Sequence, residues 1–299
     1  MSRIGIDLGG HTITAALVAI SSGAPEITRA SERATPTGRN LRDTINIIAD
    51  MVSEMEDGSD TELSGIGVGV PAMLGRDRKR ALGLPNFPDE WTNVDIAEEL
   101  ACALSSRCIK SSVKTENDAN CYALGEGTAG AAAGLSDYVV FTMGTGIGCG
   151  IVIGGKLLTG AHGMAGECGH IVVNGDLPCG CGGRGHAETI SAADGTSARA
   201  IREGLPGDFK SLWSMIGTPQ AGRVINATID GMARTIATIS HTLDPQAIVI
   251  GGGMSRAPGL VEAIRLASMK YLAKPYREQL DLRVSALGEK AALFGAASI

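Results

Sequence analysis

Arg3-Ile-Gly-Ile-Asp7-Leu-Gly9-Gly10-His11-Thr12-Ile-Thr-Ala-Ala-Leu-Val18 is a β-run, a glycine turn and a second β-run. Val139-Val-Phe-Thr142-Met-Gly144-Thr145-Gly146-Ile-Gly148-Cys-Gly150-Ile-Val-Ile153 repeats the pattern. With Asp7 aligned on Thr142, each is followed two positions later by a glycine. Either stretch alone reads as a β-hairpin with an ordinary turn. The pair reads as an internal repeat. Glycine-rich tips expose backbone N–H groups and let an anion come close, so two of them can grip a triphosphate from both sides. Asp7, a hard oxygen ligand at the first tip, is placed to hold Mg²⁺ or a metal-bound water.

Around these hairpins the chain alternates strands and helices. Gly65-Ile-Gly-Val-Gly69-Val-Pro71 is a strand entering a turn, and Ala247-Ile-Val-Ile250 is a buried strand ending in Gly251-Gly252-Gly253. A helix is expected after it, from about Pro258. Ligands of α/β sheets collect at such strand-to-helix crevices, and three consecutive glycines let a flat ring lie against backbone. Apolar residues at 3- and 4-residue spacing predict helices over Asn40–Met55, Val94–Leu104 and Ala221–Thr242. Thr115-Glu116-Asn117-Asp118-Ala119-Asn120 follows a short β-run and opens a further helix through Glu126. Asn117 or Asp118 can act as its N-cap. An Asp at a strand's carboxyl end, between two phosphate hairpins, is also where a general base for phosphoryl transfer belongs. Leu84-Pro85-Asn86-Phe-Pro88 is a proline-rigid loop; Asn86 can exchange hydrogen bonds with hydroxyls or simply form an Asx turn.

The densest chemistry lies in Glu167-Cys-Gly-His170 and Cys179-Gly-Cys181-Gly-Gly-Arg-Gly-His186-Ala-Glu188. His-x8-Cys-x-Cys-x4-His supplies two thiolates and two imidazoles, a tetrahedral zinc set. Four protein ligands leave no open position for water, so His170, Cys179, Cys181 and His186 read as a structural clip. Glu167 and Glu188 at its edges are then held in place to meet a substrate.

Composition narrows the class. The 299 residues carry a net charge of −6, which argues against a general nucleic-acid surface. The basic run Arg76-Asp-Arg-Lys-Arg80 reads as a solvated turn. Aromatics make up 3% and glycine 42 residues, a chain of aliphatic packing and backbone-built sites. No apolar stretch reaches the roughly 18 residues of a membrane span. A strand begins at the amino terminus, so no signal peptide is expected. Seven cysteines, two in the metal loop and the rest in apolar or helical contexts, fit a reduced, cytoplasmic protein.

Taken together, the Asp7-x-Gly-Gly start, the Gly-x-Gly-x-Pro71 turn, the Pro-Asn86 loop and Glu-Asn-Asp118-Ala-Asn resemble the ROK (repressor, open reading frame, kinase) family of bacterial sugar kinases, within the hexokinase–actin superfamily. So do Gly144-Thr-Gly-x-Gly, Gly160-Ala-His-Gly-x-Ala-Gly-Glu167-x-Gly-His170, the cysteine loop, Asp244-Pro-x-x-Ile-Val-Ile-Gly-Gly-Gly253 and Leu287-Gly-Glu-Lys-Ala-Ala-Leu-Phe-Gly-Ala-Ala. The resemblance implies an α/β, two-domain actin-like (ribonuclease-H-like) ATPase fold with a cleft between lobes. Residues 1–115 form the smaller lobe, completed by the C-terminal helix 289–299. Residues 116–288 form the larger lobe, with the zinc loop and a dimer surface. It implies Asp118 as catalytic base, and Asn86, Asn117, Asp118, Glu167, His170 and Glu188 on the sugar. Asp7, Gly9, Gly10, His11, Thr12, Gly144, Thr145 and Gly146 surround phosphate and Mg²⁺, and Gly252 and Gly253 lie near the nucleoside. His170, Cys179, Cys181 and His186 bind zinc. The family usually has a third Cys at position 186 and Gly-Gly-Thr-Lys at the first hairpin, where this chain has Gly10-His11-Thr12. Pro71-Ala72 stands where Pro-Gly is common in glucokinases.

The activity implied is ATP-dependent 6-phosphorylation of a hexose in carbohydrate metabolism, glucose first. Allose, N-acetylmannosamine, mannose or fructose is the alternative substrate. Homodimers or dimers of dimers are expected, without nucleic-acid or membrane partners. A non-catalytic sugar-sensing regulator is the rival class. Its repressor members carry a helix-turn-helix ahead of the first hairpin, for which Asp7 leaves no room, and they have no need of Asp118.

Overall fold

The computed structural model describes residues 1–20, 24–57, 63–84, 87–173 and 175–299. The first half runs β1 (Ser2–Leu8), β2 (Thr12–Ala19), β3 (Glu26–Ala34), α1 (Leu41–Glu56), β4 (Leu63–Val70), β5 (Met73–Leu74), β6 (Ala81–Gly83), α2 (Ile96–Ser105), β7 (Val113–Asn117) and α3 (Asp118–Ala129). The second runs β8 (Tyr138–Met143), β9 (Ile147–Ile153), β10 (Lys156–Leu157), α4 (Ala187–Ser191), α5 (Ala193–Arg202), α6 (Phe209–Ser214), α7 (Pro219–Leu243), β11 (Ala247–Gly251), α8 (Leu260–Ser268), α9 (Lys274–Gln279), β12 (Leu282–Val284) and α10 (Lys290–Ser298).

The repeat seen in sequence is a repeat of whole sheets. The first sheet has the order β3-β2-β1-β4-β7 and the second β10-β9-β8-β11-β12. In each, an antiparallel three-strand meander is extended by two parallel strands. The register keeps the equivalence: Asp7 pairs with Thr14 and Gly69, Thr142 with Gly148 and Gly251. Parallel neighbours need crossovers. Helix α1 supplies one in the first half, and α4 to α7 precede β11 in the second.

Capping sets the helix starts. Asn40, Asp95 and Thr218 accept hydrogen bonds from the amides of Asp43, Glu98 and Ala221, so α1, α2 and α7 begin just after them. Val94 is therefore outside the helix predicted over 94–104. After Gly253 the chain makes a 3₁₀ turn, Gly253–Arg256, and α8 waits until Leu260 because Gly259 adopts a left-handed φ of 82°.

The last helix of each half packs across the molecule. Helix α3, which follows the first sheet, lies chiefly on β8 and β9; α10, which follows the second, lies on β1 and β4; the two helices pack on each other. Leu293, Phe294 and Ala297 of α10 are buried against Ala16 and Val18 of β2. The crossing is close enough that a Cβ on Gly125 would overlap the Ala291 carbonyl and one on Gly295 the Cys121 carbonyl. Backbone cannot yield as a flexible side chain does. Gly295→Val is therefore expected to cost at least the ~1–3 kcal/mol typical of overpacking, read as a lowered Tm. An unchanged Tm would show that the crossing can open without loss.

Candidate active site

Strand ends bring the polar residues together. Asp7 is at the carboxyl end of β1, Asn117 at that of β7, Thr142 near that of β8 and Gly251 at that of β11. The first hairpin tip is held from behind. Thr35 donates its hydroxyl to the Gly9 carbonyl (2.8 Å) and its amide to that of His11 (2.9 Å), and Arg39 Nε donates to that of Gly10 (2.7 Å). The second tip is held the same way by the start of α5: the Ala193 amide donates to Gly144 (2.8 Å) and that of Asp194 to Thr145 (3.4 Å). Both tips are thus supported from behind by the protein's own hydrogen bonds. Gly252, at φ 81°, lies against Met143 so closely that a Cβ would meet its backbone, which seats the third glycine cluster beside the second tip. A Cβ on Gly144 or Gly253 would meet nothing within 4 Å; both border open space.

Asn117 caps α3, its Oδ1 accepting from the Asn120 amide at 3.1 Å, while its Nδ2 donates to the Ala72 carbonyl at 3.2 Å. Capping thus falls to Asn117, and Asp118 Oδ1 accepts from the Ala119 amide (2.8 Å). Burial raises the Asp118 carboxyl to about 6, with the Glu167 charge adding to the effect and the Ala119 amide opposing it. Burial raises Asp7 to about 7, helped by the charges of Asp118 and Glu289. Glu167 is also raised, by burial and by Glu188, against the pull of His170. Asp7, Asp118 and Glu167 therefore form one electrostatic group in which negative charge is costly.

The four candidate metal ligands converge from three elements. His170 ends the 3₁₀ turn Cys168–His170, Cys179 and Cys181 ride a small hairpin closed by the Pro178–Arg184 bridge, and His186 precedes α4. Their ligand atoms all lie within 4.8 Å of one another. His170 Nδ1 is 3.2 Å from His186 Nδ1 and 3.8 Å from Cys179 Sγ, and Cys181 Sγ is 3.4 Å from His186 Nδ1. Tetrahedral zinc with Zn–N of ~2.0–2.1 Å and Zn–S of ~2.3 Å has N···N edges of about 3.3 Å and N···S edges of about 3.5 Å. The residues fit the ion. His170 Nε2 faces the other way, 3.7 Å from Glu167 Oε2. Glu188 lies between the cluster and the second tip: Cys179 donates to its Oε1 (3.1 Å), and its Oε2 borders Gly146.

Asn86 lies outside the described residues. Its neighbour Phe87 stacks edge-on against Trp91 at 5.1 Å, and Trp91 Nε1 donates to the Arg39 carbonyl at 2.7 Å. Phe87 is thereby joined to the segment behind the first tip.

Arg78 corrects the sequence reading. The run 76–80 reads as a solvated turn, but the Arg78 guanidinium is mostly buried and ion-paired with Glu116. Glu116 was the available signal. A carboxylate on a buried strand end needs a partner, and Lys114, the nearest cation in sequence, is exposed. The backing segment 35–39 is the other element that sequence reading missed.

The ROK family model matches residues 3–299. The chain belongs to the ROK family. Glucokinase of Thermotoga maritima is 34% identical over 319 aligned positions, covering 100% of this chain and 97% of that relative. N-acetylmannosamine kinase of Escherichia fergusonii is 30% identical, covering 99% and 97%. Among solved structures, the ROK family glucokinase from Streptomyces griseus in complex with glucose and AMPPNP superposes with a TM-score of 0.82 at 28% identity, covering 100% of this chain and 98% of that one. These neighbours carry the actin-like ATPase fold, and this ROK protein shares it.

Proposed function

We propose that this ROK protein is an ATP:hexose 6-phosphotransferase, with glucose as the first substrate to test. One observation carries the reading. Asp118 stands at the start of α3, freed from capping by Asn117, with its carboxyl held at about 6 and Glu167 beside it. That is a base poised near neutrality among polar groups suited to hydroxyls. The full-length match to a glucokinase adds to it. N-acetylmannosamine is the second substrate to test, because a relative of that specificity matches equally far along the chain.

In this reading Asn86, Asn117, Asp118, Glu167, His170 and Glu188 hold the sugar. Asp118 takes the 6-hydroxyl proton as that oxygen bonds to the γ-phosphorus and the bond to the ADP oxygen breaks. Gly9, Gly10, His11, Thr12, Gly144, Thr145 and Gly146 line the phosphates, and Gly252 and Gly253 the nucleoside. Asp7 would hold Mg²⁺, which when bound neutralises phosphate charge. His170, Cys179, Cys181 and His186 would hold a structural zinc ion. The lobes are 1–115 with 289–299, and 116–288, a partition supported by the packing of α10 on the first sheet. Exposed Leu158, Met164 and Val172 are apolar side chains that a homodimer or dimer of dimers would cover. No described helix is long and apolar enough to cross a membrane. The free thiols and the net charge of −6 support a cytoplasmic enzyme of sugar metabolism without nucleic-acid partners.

The decisive experiment is ADP release over a panel of hexoses, with ATP and polyphosphate as donors. Turnover of at least one hexose is expected; none on any member overturns the reading. The pH profile is a second check. Asp118 must be ionised to accept a proton, so kcat/KM should rise as pH climbs through about 6 and level off above it. A profile flat from pH 5 to 8 would remove Asp118 from the proton transfer.

A further inference from the structure

Arg78 occupies a place that no metal or nucleotide role explains. It stands between β5 and β6 with φ 57°, a left-handed conformation that costs a non-glycine residue energy. The conformation turns its side chain inward, leaving 19% of it exposed, onto Glu116, whose side chain is 7% exposed. Nε donates to Glu116 Oε2 at 2.9 Å, and a second guanidinium nitrogen pairs with Oε1. Glu116 Oε1 also accepts from the Asn117 amide and from Asn120 Nδ2, both at 2.8 Å. The pair therefore braces the turn that presents Asn117 and Asp118.

The same guanidinium reaches the second half of the chain. Nη1 donates to the Gly163 carbonyl at 2.8 Å, in the loop that leads to Glu167. The approach is tight. Gly163 has φ 86°, and a Cβ there would lie 2.5 Å from the Leu74 carbonyl oxygen and 2.7 Å from Gly75. The Thr115 hydroxyl completes the junction by donating to the Arg78 carbonyl at 2.7 Å. One forked cation thus spans the segment 115–118 and the loop 160–167, and only a planar group with several donors can do so.

We propose that Arg78 is a positioning residue for the hexose, fixing the Asn117–Asp118 turn and the Glu167 loop against each other. This rests on the hexose kinase reading. The nucleotide-binding hairpins have their own supports, at Thr35, Arg39 and α5, so the effect should fall on the sugar.

The test uses Arg78→Lys, Arg78→Met and the double variant Arg78→Met with Glu116→Gln. The double variant leaves no buried unpaired charge, the usual cause of misfolding when one partner is removed. Hexose and ATP KM, hexose affinity by calorimetry, and Tm are measured on each beside the unmodified protein. A hexose KM raised about 10–100-fold is expected in all three, the scale of displacing an oriented group, with ATP KM little changed. The double variant should recover Tm without recovering hexose affinity. Normal hexose affinity in the double variant overturns the proposal, since the pair would then serve stability alone. So does a rise in ATP KM equal to that for hexose. An unmodified protein that neither binds nor phosphorylates any hexose overturns the kinase reading, and this proposal with it.

Discussion

Replacing Asp118 by Asn is expected to lower kcat by about 10²–10⁴-fold, the usual contribution of a positioned general base. The hexose KM should move much less, because Asn keeps an oxygen acceptor where Asp118 Oδ1 meets the Ala119 amide. The helix start should survive, since the capping oxygen belongs to Asn117. Stability separates the roles further. The Asp118 carboxyl is raised to about 6 in the folded protein by burial and then by Glu167. A carboxyl raised on folding favours the folded state while it is protonated, and that contribution is lost as pH rises through the folded value. At pH 8 the ligand-free enzyme therefore carries an unfavourable charge that the Asp118→Asn variant would lack. The variant should be inactive yet melt higher than its parent at pH 8, with the difference shrinking toward pH 5. Near-normal turnover, or a Tm lowered at every pH, would reduce Asp118 to a structural residue.

The same carboxylate shows what can be read from sequence. The hairpins were legible because a glycine turn between β-branched runs is a local signal, and because it occurs twice. Asp7 and Thr142 then occupy equivalent registers in equivalent sheets. The cysteine loop was legible because ligand type and spacing are local as well. The crossed packing of α3 and α10 was not. Gly125 and Gly295 look like ordinary helix glycines until the partner backbone is placed against them. Arg78 was hidden for a related reason. Its charged neighbours suggest solvent, and its partners, Glu116 and Gly163, are distant in sequence. Thr35 and Arg39 likewise support the first tip through tertiary contacts that no periodicity announces.

Losing the zinc clip should act on the sugar before the nucleotide. Cys179→Ser removes one of four converging ligand atoms, and serine oxygen is a poor substitute for thiolate on a borderline-soft ion. The protein should then lose its metal. His170 would also lose the anchor on Nδ1 that keeps Nε2 turned toward Glu167. Ordering of this kind commonly alters affinity or activity by about 10–100-fold. That loss should appear as a raised hexose KM, with a smaller change for ATP, because the tips are braced by Thr35, Arg39 and α5 rather than by the cysteine loop. His186→Cys tests the remaining ligand. A thiolate there restores the usual family set and should bind zinc at least as tightly. Metal content of protein purified without chelator, read with the two KM values, tests whether an ion holds the loop. Well under one zinc per chain in the fully active unmodified protein would show that the loop holds Glu167 and Glu188 by its own hydrogen bonds, without an ion.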